Sequence, residues 1–397
     1  VTPAGSIQID LFHHAGHSTQ VNITSTRPVT STRVFLGKTP EQVLNMVPLL
    51  FTLCANAQAY AALLACRSAL GIVVAPEVDA AQQLLVQLET LREHAWRILL
   101  DWPKFVGLSP NKIAIAALLK FDGLFKQALF KHGEAFKLDS ELNKESAHIT
   151  QLINELEVLI NETIFNGGLA EFLKLASEAQ LADWIIDNSV SAQLLKKIYN
   201  KNWAAIGQNN MACLPELTAI EVHNQMQQQG LVEFVKLPKW LGSCCESSLL
   251  NRQLAQPLIA GLFIQYGNGL LVRLVGRLSE VAGITANMRQ QVSGNSISGF
   301  ESAYNDGIGL AQVQAARGLL IHRLVLQQGQ VYDYHIVAPT EWNFHPDGVV
   351  AASLKQLRAT DVDELHQQAE WLINAIDPCV EYQLNLIDGC NGNEIYA

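Results

Sequence analysis

From Thr39 to Asn200 one helical pattern follows another, with apolar residues three or four positions apart and breaks only at Gly, Pro and Asn. A stretch of that length and period buries its apolar stripes by packing helix on helix, so a helical mass must occupy the centre of the molecule. Its first start signal is explicit. Thr39 stands as N-cap, Pro40 at the first helical position and Glu41 in the first turn; the pattern then runs to Leu70, where Gly71 ends it. Pro48 kinks or divides this helix. Further helices are expected at 78–101, 112–132, 139–160, 169–178 and 180–200, and a last one at 360–376, stopped by Asp377-Pro378.

Strand patterns flank the helices. Residues 6–36 carry short alternating segments such as Gln20–Thr24, with Arg27-Pro28 as a break, and read as two or three strands. From about 257 the pattern turns alternating and Gly-rich, and Leu319–Leu326 with Val331–Val337 around Gln327-Gln328-Gly329-Gln330 reads as a hairpin. The fold class is therefore α+β. A single domain over 1–397 is expected, with strands in 1–36, a helical region in 37–255 and a mixed region in 256–397. With 49% hydrophobic residues in 397, the chain can bury a large core. Dispersed charges, 27 basic against 37 acidic, argue against nucleic acid as a partner. The most apolar stretch, Val47–Leu64, is broken by Pro48, Asn56 and Gln58, so no membrane span is expected. Val1–Asp10 has no basic segment leading into an apolar one, and cytoplasm is the expected compartment.

Seven cysteines in a long chain without such a signal point to reduced thiols, and no pair is spaced CxxC, so a thiol site must be assembled from distant segments. Three clusters in the C-terminal half stand out. Ala316-Arg317-Gly318 offers a planar guanidinium and close backbone approach, or simply a surface arginine at a strand entry. Pro339-Thr340-Glu341-Trp342-Asn343 is a proline turn after a strand, with or without a role beyond turn and core. Asp377-Pro378-Cys379 places a thiol just past a helix end, where it is either inert or a ligand.

In this order the three clusters resemble the C-terminal half of nickel-iron hydrogenase large subunits, over about 300–385. The family's P-R-G segment and following His-bearing strand match Ala316-Arg317-Gly318 through His322, its P-[ST]-T-W-N turn matches Pro339–Asn343, and its D-P-C-x-x-C-x-x-H terminus matches Asp377-Pro378-Cys379. The N-terminal R-x-C-G-x-C-x-x-x-H motif overlays residues 49–58 and centres on Cys54. The resemblance implies a large-subunit-like fold: a central helical bundle with peripheral strands near the N-terminus and in the C-terminal third. It also implies that Arg317 matches the arginine over the iron, and that Pro339 and Thr340 match the turn that donates to a cyanide ligand.

The departures from that pattern bear on function. Phe51 and Tyr382 stand where two of the four cysteines would be, and Gln58 and Asn385 replace two histidines, leaving Cys54 and Cys379. Neither replacement suits a soft nickel-thiolate site, so nickel and hydrogenase activity are not expected. What remains resembles the HupK/HoxV group of large-subunit-like hydrogenase maturation proteins. That resemblance implies an accessory scaffold, not an enzyme, which transiently takes an iron fragment carrying cyanide and carbon monoxide on Cys54 and Cys379. Its expected partners are the maturation proteins that deliver the fragment and the hydrogenase large-subunit precursor that receives it. Two other readings stay open: a degenerate iron-only metalloenzyme, and a metal-free interaction protein that mimics a large subunit. Cys390 could add a ligand from a flexible tail, and His13, His14 and His17 could bind a divalent ion, with His13 and His17 on one face if all lie on one strand. Twelve residues follow Asn385, and proteolytic processing there is not expected.

Overall fold

The computed structural model describes residues 5–143, 146–186, 188–292, 300–303 and 307–389. Strands β1 (Ile7–His14) and β2 (His17–Ser25) form a hairpin that turns at Ala15-Gly16, both at positive φ. Ile7, Ile9 and Leu11 alternate inward and Val21 and Ile23 meet them, which fixes the register because a one-residue slip would expose all of them. The histidines therefore lie on two strands, not one. His14 pairs across the hairpin with His17, both exposed, while His13 is buried, so the expectation that His13 and His17 share a strand face fails at the turn. They do not appear in a three-ligand grouping among the described residues.

The first helix begins as the sequence indicates, whereas the one expected from 139 begins at Ser146. Helix α1 (Pro40–Leu50) has Thr39 accepting from the amide of Gln42 while the Gln42 side chain accepts from Thr39, a reciprocal cap. Pro48 lacks an N–H for the ladder, and α1 ends at Leu50; α2 (Ala55–Leu70) starts afresh and stops at Gly71 in the left-handed region. Next come α3 (Pro76–Trp96), which continues as a π-helical turn over Arg97–Asp101, then α4 (Lys112–Leu129) and α5 (Ser146–Thr163). The 169–200 stretch is helical only in pieces: Leu169–Phe172, Glu178–Trp184 and Val190–Asn200. Ser177 and Ser189 each accept from an amide three residues on, so they restart helices where periodicity alone suggests continuation.

The largest departure lies after 257. In place of strand-like segments the chain forms a helix at Pro257–Tyr266 and then α6 (Leu270–Val292), 23 residues long. Helix α6 is buried round most of its circumference, and its polar residues Arg273, Arg277 and Glu280, at helical spacing, are buried with the rest and not turned to solvent. Gly276 lets Leu249 and Leu250 approach; a Cβ there would lie 3.0 Å from Leu249.

Strands β3 (Phe300–Ala303), β4 (Ile308–Ala315), β5 (Gly318–Gln327) and β6 (Gln330–Val337) make an antiparallel sheet in that order, with the expected turn at Gln328-Gly329. Helix α2 lies directly on this sheet. Gly309 permits the contact, since a Cβ there would meet the Ala65 carbonyl oxygen at 1.9 Å. After β6 come the short α7 (Pro339–Asn343) and the long α8 (Val362–Ile376), and β7 (Tyr382–Asp388) then joins β1 in parallel to complete a sheet of order β2-β1-β7. The segment up to Asp388 is thus built into a sheet and is not a free tail; Cys390 lies outside the described residues. The largest apolar cluster draws residues from Ile7 to Ile376, and two further clusters lie where α2 meets the four-stranded sheet and around Trp342. Among the described residues no helix is long and apolar enough to cross a membrane.

Candidate functional site

The break between α1 and α2 decides where the first thiol goes. Cys54 is the residue before α2 begins, and the helix's leading amides, Asn56 N and Ala57 N, are taken by the buried carboxylate of Glu89 at 2.8 and 3.0 Å. Glu89 therefore does the capping that Cys54 does not, and it fixes the turn that carries the thiol. Burial pushes Glu89 up to about 7, although Arg92 and the two amides pull the other way.

The second thiol sits where α8 ends. Asp377 adopts a left-handed backbone at the helix terminus, Pro378 follows, and Cys379 lies just beyond. Thr340, on the first turn of α7, donates its hydroxyl to Cys379 Sγ at 2.9 Å, and Arg27 Nη1 lies 2.6 Å from the same sulfur. Arg27 is held in turn by Glu341 at 2.9 Å, whose other oxygen accepts from the amide of Ala338 at 3.0 Å.

Arg317 arrives from the link between β4 and β5. It is 8% exposed and bonded to Glu93 at 3.1 Å and to Asp377 at 3.3 Å, so its position is fixed by carboxylates from two other segments. Burial opposes the charge, but Asp377 and Glu93 keep this guanidinium ionised. Gly318 follows in a conformation only glycine tolerates, at φ +130°, with the Ser247 carbonyl oxygen 2.1 Å from where a Cβ would sit.

Cys54, Cys379, Arg317, Pro339, Thr340 and Arg27 all line one cleft of about 300 Å³. The five residues singled out from the sequence are thus brought together from four distant segments. Phe51 lines the same cleft as part of its apolar wall, whereas Tyr382 faces a neighbouring groove that also contains Cys379 and Arg317. Asn385 is spent on β7, donating to Asp10 at 2.7 Å. Gln58 belongs to the site itself. His322, wholly buried and pushed down to about 3 by burial, stays neutral; its Nδ1 meets Tyr334 Oη at 2.8 Å and its Nε2 meets Gln58 Oε1 at 2.9 Å. The amide acceptor on Gln58 requires Nε2 to donate, so a directed chain runs Tyr334, His322, Gln58 and on to Cys54 Sγ, 3.8 Å from Gln58 Nε2. Burial, then Glu89 and Cys379, push the Cys54 thiol up to about 12, with Arg317 and Gln58 pulling the other way. Without a metal Cys54 is a protonated thiol.

Sequence reading passes over Arg27, taking Arg27-Pro28 only as a strand break, and over Glu89 and Glu93. No local signal marks them, because each acts on a residue far away in the chain. Asp377 is visible as a helix stop but not as the partner of three arginines.

The family model for nickel-dependent hydrogenases matches residues 245–382, which include Arg317, Thr340 and Cys379 but not Cys54. Over almost its whole length the chain is similar to proteins of one kind: 26% identical to the hydrogenase expression/formation protein HupV of Azotobacter chroococcum, covering 97% of this chain and 99% of that one. The chain is a relative of the hydrogenase expression/formation proteins. HoxV of Cupriavidus necator, another of them, is 29% identical over 94% of this chain and 95% of its own. In three dimensions the Ni-Fe-Se hydrogenase from D. vulgaris Hildenborough superposes with a TM-score of 0.67 at 14% identity, covering 93% of this chain and 94% of that one, so the fold is that of a hydrogenase large subunit.

Proposed function

We propose that this expression/formation protein relative acts in hydrogenase maturation as a non-catalytic scaffold, with an iron-cyanide-carbonyl fragment as its cargo. The observation that carries the reading is the cleft: two thiols and two guanidinium groups share about 300 Å³, while phenylalanine occupies the wall where a third thiol would serve nickel. Thiolates suit a low-spin iron fragment, and charge-assisted donors suit the nitrogen ends of its cyanides. Each sulfur-iron bond formed by Cys54 or Cys379 replaces one to a ligand of the delivering protein, and the thiol proton passes to that departing ligand. Arg317 and Arg27 face the anionic ligands, and Pro339 shapes the turn. The hydroxyl proton that Thr340 lends to Cys379 becomes available to a cyanide once that sulfur binds iron. Delivery to a large-subunit precursor reverses the exchange. In this reading the chain holds iron without nickel and does not turn over hydrogen.

Infrared spectra of the protein isolated from a host with its maturation machinery, with iron and nickel counted in parallel, test this. Cyanide and carbonyl stretches with iron and little nickel are expected, lost on Cys379→Ser and weakened on Cys54→Ser. Spectra without those bands in wild type, or bands untouched by both substitutions, would overturn it. Arg317→Lys keeps the charge but loses the planar fork, and is expected to lower retention of the fragment roughly tenfold, one charge-assisted hydrogen bond's worth.

A further inference from the structure

We propose that Cys244, His345 and Asp347 form a second metal site, separate from the cleft, that takes one borderline divalent cation of the zinc(II) type. Their ligating atoms all lie within 4.8 Å of one another. An ion with bonds of about 2.0–2.3 Å in tetrahedral geometry needs ligand separations of roughly 3.3–3.8 Å, so the site closes with side-chain shifts of about 1 Å. Cys244 Sγ already stands 3.4 Å from His345 Nδ1.

The site has signs of being built and not incidental. His345 is 3% exposed and offers the site its Nδ1, the nitrogen that faces Cys244; that atom accepts from the Asp347 amide at 2.9 Å, a hydrogen bond that an ion would displace. The two segments are also tied together without any ion: Asn343 accepts from the Ser247 amide at 2.9 Å and donates to the Ser247 carbonyl at 2.7 Å. Cys244 reaches its place through the turn at Leu241-Gly242, both at positive φ, so the thiol is aimed by backbone geometry.

Thiolate, imidazole and carboxylate together select zinc(II), cobalt(II) or iron(II) over magnesium or calcium, which prefer all-oxygen shells. Three protein ligands leave the fourth position to water or to Glu233, since His345 and Asp347 line a cleft of about 430 Å³ together with Gln229, Glu233 and Lys239. Burial raises the Cys244 thiol above its ordinary value, with Lys239 pulling down and Asp347 pushing up, so an ion would bind there by displacing the thiol proton. This cleft shares no lining residue with the cleft of Cys54 and Cys379.

The consequence is mechanical. A bound ion would fasten the 243–248 loop to the end of α7, and Ser247 of that loop accepts from the Leu319 amide at 2.9 Å and abuts Gly318. The ion would thus brace from behind the two segments that present Arg317 and Thr340.

Cobalt(II) is the probe, because a thiolate ligand gives it an intense near-ultraviolet charge-transfer band. The full chain carrying Cys54→Ser and Cys379→Ser, freed of metal, is titrated with cobalt(II). One equivalent with that band is expected, abolished by adding Cys244→Ser and weakened about tenfold or more in affinity by Asp347→Asn, an exposed position that leaves folding intact. Circular dichroism of each variant confirms that it is folded. No band in the starting protein, or a band that Cys244→Ser and Asp347→Asn both leave unchanged, overturns the proposal.

Discussion

At the scale of single residues, the chemistry of this chain depends on buried polar groups that are paired with one another. His322 shows why such pairing matters. Its folded value of about 3 lies below the ordinary 6.5, so the unfolded chain binds the proton more readily, and the stability present above 6.5 is lost as pH falls toward 3. The loss attributable to this group is about 1.4 kcal/mol per pH unit. Comparing urea unfolding of wild type and His322→Gln at pH 7, 6 and 5 should show the wild-type slope exceeding the variant's by about that amount; equal slopes would mean that His322 is not held neutral. Arg27 makes the opposite point. It bonds Cys379 and Glu341 directly, yet nothing around it in the sequence distinguishes it from a loop arginine.

At the scale of elements, glycines at close contacts govern how the site-bearing segments meet. Gly318→Ala would need φ +130° with a Cβ 2.1 Å from the Ser247 oxygen, and is expected to cost about 3 kcal/mol or more. Because Arg317 is the neighbouring residue, the same substitution should also reduce fragment retention, measured by the iron count, in protein that still melts cooperatively. Gly309→Ala is a control for the first effect without the second: it lifts β4 from α2 at Ala65, away from the arginine, and should lower the denaturation midpoint while sparing retention in the folded fraction. Helix ends were the most readable elements. Thr39, Gly71 and Asp377 each act through backbone chemistry that spans a few residues, and each terminates or starts a helix where the sequence indicates, whereas Pro48 lies inside α1, which ends two residues beyond it. Helix α6 was missed although Arg273, Arg277 and Glu280 recur at helical spacing within it, and the fragmentation at Ser177 and Ser189 was hidden because a serine cap and a serine in mid-helix look alike.

At the scale of the whole molecule, Asp377 is the junction. Its carboxylate meets Arg97 at 2.7 Å, Arg317 at 3.3 Å and Arg277 at 3.7 Å, uniting the end of α3, the β4–β5 link, α6 and the C-terminal thiol segment. Burial would raise this carboxyl, but the three guanidinium groups hold it well below the usual carboxylate range. Asp377→Asn leaves those cations short of a buried counter-charge and is expected to cost about 3–5 kcal/mol in chemical denaturation. The variant should also loosen Cys379, which can be followed by a faster reaction of that thiol with an alkylating reagent in the folded protein. A stability change under 1 kcal/mol would remove Asp377 from this role.

The sequence alone determined the helix start at Thr39 and the helix stops at Gly71 and Asp377-Pro378, because caps and proline act over a few positions. It pointed to Cys54, Cys379, Arg317, Pro339 and Thr340 by resemblance. Only the tertiary structure decided that these five line one cleft, that Arg27 and Gln58 join them, that Glu89 caps the helix behind Cys54, and that β7 closes on β1 some 370 residues away. The physical reason is that such contacts are selected by the burial and charge compensation of the whole core, and neither quantity exists until the chain has folded.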